Sequence, residues 1–541
     1  MKSRLLLTGL TAVALTACGG GGGGESAPAV TTTKISGTAA VGAALPNATV
    51  LAKCATGSGS ATTAANGTFT VSIDNAVRPC VLSVPATAAD GTPMTLHSVV
   101  EAGTGTAPLA NITPLTELIV AALASGDTNA FFANFDGTAQ ARLTPANVTT
   151  ALVSLATTLK PVIDLSNVDP IKAPLVAANG ANAGNALDQL LDQLGEQLKK
   201  AQTTLAQLST AVGNNAGAAA IQTILQTASE TCSGLRTGDY LAATPVGVLT
   251  AHVDATKLTL TQPDGQGGTL SVQLVPIPQQ ACRFSALSGG AVSDIQVSPA
   301  GVMLVRNVPS QGGPSLLPNL VVPAQSLSVA DLAGNWSALG FETNGGIYQP
   351  TRVKLTFDAD GKALAGADCT GLTSCTSWAA NELPRLSAQP GGGFALTDSN
   401  GTAYVAAFKG TDGQVTAVIS SASGLIVGAK QVVRPMPVVG AKNSYWDLTV
   451  FGDLSVNVGA GATEITSVDA ATSTYTRKRN DNRVDTWEQN KPADGLRYRG
   501  PSNDTTAREG ISLVLGNTGV AVMISLDVRS LFYDISVNRP Q

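Results

Sequence analysis

The chain is poor in the side chains that carry chemistry. Of its 541 residues two are histidine, His97 and His252, and they stand far apart. His97 ends the strand-like run Thr95-Leu96-His97, and His252 lies within Leu249-Thr250-Ala251-His252-Val253, so both read as surface or edge residues of strands. A Ser-His-Asp site would have to use one of them. No Gly-x-Ser-x-Gly elbow, His-Glu-x-x-His pair, Walker loop or Rossmann glycine fingerprint is present. Glycosidase chemistry needs only two facing carboxylates, but aromatics that stack on sugars make up just 4% of the chain. A zinc site has no Cys-x-x-Cys pair to start from. Asp358-Ala359-Asp360-Gly361 begins like a calcium loop, yet its sixth and twelfth positions are Ala363 and Cys369 where Gly and a carboxylate are needed, which favours a hairpin turn. Cys369 and Cys375 are either a redox dithiol or a structural staple. Reactive dithiols have closer spacing and a basic or helix-N-terminal setting, which favours the staple. No catalytic, cofactor or metal-binding residue is assigned, and a non-enzyme is expected.

Charge is concentrated in one place. Only 13% of the residues are charged. Within Thr476 to Glu509, however, Arg477, Lys478, Arg479, Arg483, Lys491, Arg497, Arg499 and Arg508 alternate with six acidic residues, around Trp487 and Tyr498. Arginine and aromatics are favoured at binding hot spots. Arg479, Arg483, Trp487, Arg497, Tyr498 and Arg499 are therefore the candidate recognition face, for a glycan, an anionic lipid A or an envelope protein. The alternative is a solvated loop whose surface ion pairs contribute little. A net charge of −5 argues against nucleic acid, which is bound through clustered Lys and Arg.

The address of these residues is written at the start of the chain. Lys2 and Arg4 precede an apolar run, Leu5 to Ala17, that is too short to span a bilayer and reads as a secretion signal over residues 1–17. It closes on Leu15-Thr16-Ala17-Cys18, which resembles the lipobox of bacterial lipoproteins. That resemblance implies diacylation of Cys18, a mature chain beginning there, and membrane attachment through the lipid. Gly19 in place of Asp further implies the outer membrane. Residues 18–30 hold six consecutive glycines and form a tether reaching about 20 Å by random-coil scaling. With Cys18 lipidated, six of the seven cysteines remain. Counting alone leaves many pairings open, but sequence neighbours favour Cys54–Cys80, Cys232–Cys282 and Cys369–Cys375. Each longer loop is worth roughly 3–4 kcal/mol if unstrained, in an oxidising compartment.

Beyond the tether the predicted organisation is multidomain α+β, mainly β. Residues 31–107 carry short strand runs separated by Pro46-Asn47, Asn66-Gly67 and Asp90-Gly91, the pattern of a small β-sandwich. Gly37, Gly42, Leu45-Pro46-Asn47-Ala48-Thr49-Val50 and Thr63-Ala64-Ala65-Asn66-Gly67-Thr68-Phe69 make this segment similar to the carboxypeptidase regulatory-like (transthyretin-like) domain. The resemblance implies an accessory module without catalytic residues. Residues 108–231 change to helical period. Thr113-Pro114 and Thr144-Pro145 start helices, and one long helix is predicted from Ala186 to Val212, with a partner over Ala218 to Glu230. Its apolar stripe is either a coiled-coil seam for a partner or the inside of its own bundle.

Residues 232–308 read as a small β-domain, 309–325 as a Pro/Gly/Ser-rich linker, and 326–541 as a large antiparallel β-barrel or sandwich region of one or two units. Gly334-Asn335-Trp336 resembles the Gly-x-Trp opening of a lipocalin, which would make Trp336 the plug of a ligand-holding barrel; the alternative is an ordinary core tryptophan. The expected role is a lipid-anchored envelope protein with a non-catalytic binding or structural function. The alternatives are a carrier or sensor of a small apolar ligand in a lipocalin-like barrel, and a hydrolase with an unrecognised site.

Overall fold

A computed structural model describes residues 30–88, 91–178, 183–288, 291–309, 316–344, 346–501 and 508–540. The signal segment, Cys18 and all of the tether but Val30 lie outside the described residues. The architecture is mainly β, with a small N-terminal β region, a group of helices, then large sheet and barrel regions.

The N-terminal region has two sheets. Thr32–Thr38 pairs with Thr68–Asp74, and a second sheet runs in the order Ser58–Thr62, Thr49–Thr56, Val77–Thr87, Pro93–Val100. Strict alternation along Thr68–Asp74 turns Phe69, Val71 and Ile73 inward and leaves the intervening residues exposed. Cys54 and Cys80 face each other across neighbouring strands and are bonded, with Cα atoms 3.9 Å apart. His97, expected at a surface or edge, is 1% exposed. Its strand is packed against helix Pro114–Ala124, whose Glu117 supplies the partner that its burial requires.

The helices are Pro114–Ala124, Thr128–Ala133, Gly137–Ala141, Pro145–Leu159, Ala186–Lys200, Leu205–Gly213 and Gly217–Ile224. Thr113 and Thr144 cap the first and fourth, each followed by proline at the first helical position. The long helix predicted from Ala186 to Val212 is two. Gln202 takes a left-handed φ of 48°, and Thr204 starts a new helix with a reciprocal capping box to Gln207. Periodicity alone could not show this break, because the leucine spacing continues across it. Leu187, Leu191, Leu194, Leu205 and Leu208 are buried in one core shared with the N-terminal sheets, so the stripe is internal packing.

Three β units follow. A nine-stranded antiparallel sheet is centred on Gly238–Thr244 and Asn319–Pro323. Its end strands, Thr269–Gln273 and Val275–Pro276, are separated by one residue, so the sheet curls back on itself without closing. The linker assigned to 309–325 is thereby corrected in its second half. Asn319–Pro323 pairs with Met303–Pro309 on one side and Gly238–Thr244 on the other, with Leu320 and Val322 buried. Composition hid this strand because the prolines and glycines beside it dominate the window. Cys232–Cys282 belongs to this unit.

A second nine-stranded sheet begins at Gly334–Asn344 and ends at Gly424–Lys430, with Cys369–Cys375 bonded across two of its strands. Trp336 lies here and not in a closed barrel. It is packed in the sheet's own core, with its indole N–H donating to the Leu332 carbonyl at 2.8 Å. The lipocalin-plug expectation is therefore corrected. Asp358 forms the hairpin turn, its Oδ1 accepting from the backbone N–H groups of Asp360 and Lys362.

Eight strands from Lys442–Phe451 to Phe532–Asn538 close into a barrel. Its outer wall carries Leu448, Val450, Ile511, Leu513, Val522, Ile524, Tyr533, Ile535 and Val537, which share a core with both nine-stranded sheets. Phe341, from the second sheet, is fully buried between Tyr348 and Tyr533, stacking on each with ring centroids 5.8 and 6.1 Å apart. Phe341→Ala is expected to lower the stability of this junction by about 3–5 kcal/mol, read as an earlier barrel transition in urea unfolding.

Candidate functional site

Strands have a side-chain period of two, so a barrel wall that is apolar outside turns every intervening residue into the lumen. In this barrel those residues are mixed: Met523, Phe532 and Phe451 gather with Tyr475 and Trp487 in an apolar cluster, and most of the others are polar. Tyr475, Arg477 and Arg479 alternate along one strand, Asp485, Trp487 and Gln489 along the next, and Arg497 and Arg499 along the one after. Across the lumen stand Tyr445, Asp447 and Thr449, with Asp534 and Ser536 from the last strand. Space is left by the second strand, Val456–Asp469, where Gly459 and Gly461 carry no side chain. A Cβ at Gly459 would meet nothing within 4 Å, whereas one at Gly461 would strike the Tyr445 ring, which lies flat against it.

Asp485 is the electrostatic centre of the arginine cluster. Its carboxylate is fully buried, and guanidinium groups approach it from Arg477 at 3.4 Å, Arg499 at 3.5 Å and Arg483 at 3.9 Å. Three guanidinium carbons, of Arg477, Arg499 and Arg497, also sit 4.8, 5.2 and 5.4 Å from the centre of the Trp487 ring. Cation–π attraction of this kind grows when the groups are desolvated. Burial pulls the Arg499 guanidinium down to about 10, with Asp485 opposing the shift. Arg497 donates to Ser512 Oγ at 3.0 Å, and Arg499 Nε donates to the Arg508 carbonyl at 2.7 Å.

The acidic side of the lumen is partly neutralised. Burial, then the neighbouring Asp447 charge, raises Asp534 well above the usual carboxylate range. Protonated Asp534 hydrogen-bonds Asp447, while Thr449 donates to Asp534 and Ser536 to Asp447, both at 2.7 Å. Two carboxyls thus stand side by side, with burial disfavouring charge on Asp534.

The cavity these residues enclose measures about 1100 Å³ and continues past Arg434 and Lys409 to Gln207 and Thr210 on the helix Leu205–Gly213. Eight arginines and Lys409 line it among the described residues, against two acids, Asp447 and Asp534.

The candidate recognition face is relocated by this geometry. Arg479, Arg483, Trp487, Arg497 and Arg499 line the cavity and form no exposed patch; Trp487 is 1% exposed. Tyr498 alone points the other way, buried in the outer-wall core with its hydroxyl donating to Glu509 at 2.7 Å. Charge density in the sequence located the segment but not its direction. The alternation Arg477-x-Arg479, Asp485-x-Trp487 and Arg497-x-Arg499 is the signal that separates lumen from surface. Asp447, Asp534 and Tyr445 escaped notice because they sit singly in apolar strands.

The histidines form no catalytic arrangement. His252 pairs with Asp239 at 2.8 Å, both more than half exposed. His97 Nδ1 lies 2.8 Å from Glu117 Oε2, and the Thr128 and Ser209 hydroxyls donate to Glu117 Oε1 at 2.7 and 3.1 Å. The carboxylate stands between serine and histidine, so the imidazole is not hydrogen-bonded to the serine it would have to activate. Among the described residues no three His, Cys, Asp or Glu groups are placed to hold a metal, and no helix is long and apolar enough to cross a membrane.

No protein-family model and no curated protein matches the chain. Among solved structures it is similar to a transferrin-binding protein B variant from Haemophilus parasuis, at 11% identity and TM-score 0.18, over 54% of this chain and 66% of that one. It is also similar to transferrin-binding protein B from serogroup B Neisseria meningitidis, at 11% identity and TM-score 0.19, over 58% and 68%. Values this low establish neither a shared fold nor a shared function.

The proton on Asp534 gives the barrel a pH dependence. Unfolded, this carboxyl titrates near 3.8; folded, it holds its proton to higher pH. Its contribution is fully present below the unfolded value and is lost as pH rises through the folded one. Urea midpoints of the barrel transition should therefore fall as pH rises above about 4. Asp534→Asn, which mimics the protonated acid, should flatten that slope and raise the midpoint at pH 7.

Proposed function

We propose that the protein is a lipid-anchored binding protein of the bacterial envelope that holds a small ligand inside its C-terminal barrel and performs no chemistry on it. The observation that carries this reading is the lumen cavity. At about 1100 Å³ it is at the upper end of small-molecule sites, and its walls combine the barrel interior with residues of the helices and of both nine-stranded units. The wall differs from the apolar calyx expected from the sequence: beside Phe451, Met523 and Phe532 it presents guanidinium groups, hydroxyls and one tryptophan.

The lipobox resemblance at Cys18 supports the address, with the outer membrane favoured by Gly19. The N-terminal unit, which resembles a carboxypeptidase regulatory-like domain and shares its core with the helices, then serves as a spacer between tether and β units. Envelope proteins and glycans remain partners for the outer surface, and the lumen is the site for the small ligand.

Two measurements test this reading. Cys18→Ala should abolish incorporation of an alkyne-tagged fatty acid and move the protein from the membrane to the soluble fraction; unchanged labelling would sink the anchor. Native mass spectrometry of the full chain purified from envelopes should show a bound species of a few hundred daltons. Ala521→Phe, which fills the lumen, should lose it with circular dichroism unchanged.

A further inference from the structure

Resting on the reading of the lumen as a ligand site, we infer that its ligand is a small polyanion bearing two or more phosphate-type charges. Guanidinium groups donate hydrogen bonds and accept none. Among the described residues, eight arginines and Lys409 line the cavity against two acids, Asp447 and Asp534, and Asp485 is already shared by three of the arginines. Buried cations are costly unless paired, so the electrostatics of this wall favour an anion over any neutral or apolar molecule.

Beside the cavity, several donors among the described residues are buried without a partner. Trp487 Nε1 and the Tyr445 hydroxyl belong to side chains 1% and 4% exposed, and neither has a hydrogen-bond partner among the described residues; Arg497 Nε is likewise buried without one. Arg479 and Arg497 both line the cavity, from different strands, and a guanidinium fork matches the oxygens of a phosphate. Cation–π contacts pin three of the guanidinium groups around Trp487 before any ligand arrives, and preorganisation of this kind lowers the entropic cost of binding.

The test is isothermal titration of the full chain with pyrophosphate and with inositol hexaphosphate, in parallel with a neutral apolar fluorescent dye. Binding of at least one polyphosphate is expected, weakening as sodium chloride is raised. R479Q/R497Q should weaken it tenfold or more, and Trp487→Phe, which keeps the ring but removes the N–H, by a few fold. Lys442→Gln, on the exposed outside of the barrel, should leave it unchanged. Each variant is accepted only if its circular dichroism and urea midpoint remain near wild type. Competition by vesicles containing phosphatidylglycerol would assign the phosphate to a lipid headgroup; no competition would assign it to a soluble compound. Binding of the dye but of neither polyphosphate overturns the polyanion and leaves the carrier reading standing. Binding of none of the three overturns both.

Discussion

The C-terminal half of this protein is organised by one constraint: one side of the barrel's outer wall is a buried surface. Tyr533, Ile535, Val537 and their neighbours are covered by Phe341 and the apolar faces of two nine-stranded sheets, in a core that all three β units share. Once the outer face of a strand is committed to burial, the period of two commits the alternate residues to the lumen. Small barrels usually reverse this, filling the inside with aliphatic side chains and wetting the outside. On the covered side, the packing of barrel on sheet decides which residues face inward.

The same constraint explains the electrostatics. Arginines distributed along an exposed strand would be solvated singly and would do little. Turned inward, they share one carboxylate, Asp485, and one indole, Trp487, and the wall is held by contacts that are stronger away from water. The cost of placing positive charge there is met in part by Asp485, which three arginines approach.

Much of the fold was legible in the sequence, and the failures have separate physical causes. Strand runs, hairpin turns and helix caps are local, and they place the β, α, β order of the chain. The helix break at Gln202 was illegible because a left-handed residue costs little when a capping Thr follows, and leucine spacing is blind to it. The strand Asn319–Pro323 was illegible because its partners lie far away in sequence. The buried position of His97 depends on Glu117, twenty residues on and in a different element. In the candidate site, the charged segment was found from composition, but its inward direction depends on what covers the other face. No local pattern contains that information, although the alternation of arginines marks which residues move together.

The three disulfides have a distribution with a consequence of its own. Cys54–Cys80, Cys232–Cys282 and Cys369–Cys375 cross-link the N-terminal sheets and the two nine-stranded sheets, and no cysteine follows Cys375. The barrel is thus the one β unit without a covalent clasp. Its opening can occur as a local, reversible event while the stapled units stay folded, and anything that binds its lumen holds it shut by mass action. Protease resistance of the last hundred residues therefore reports how often this unclasped unit opens while the stapled ones stay folded.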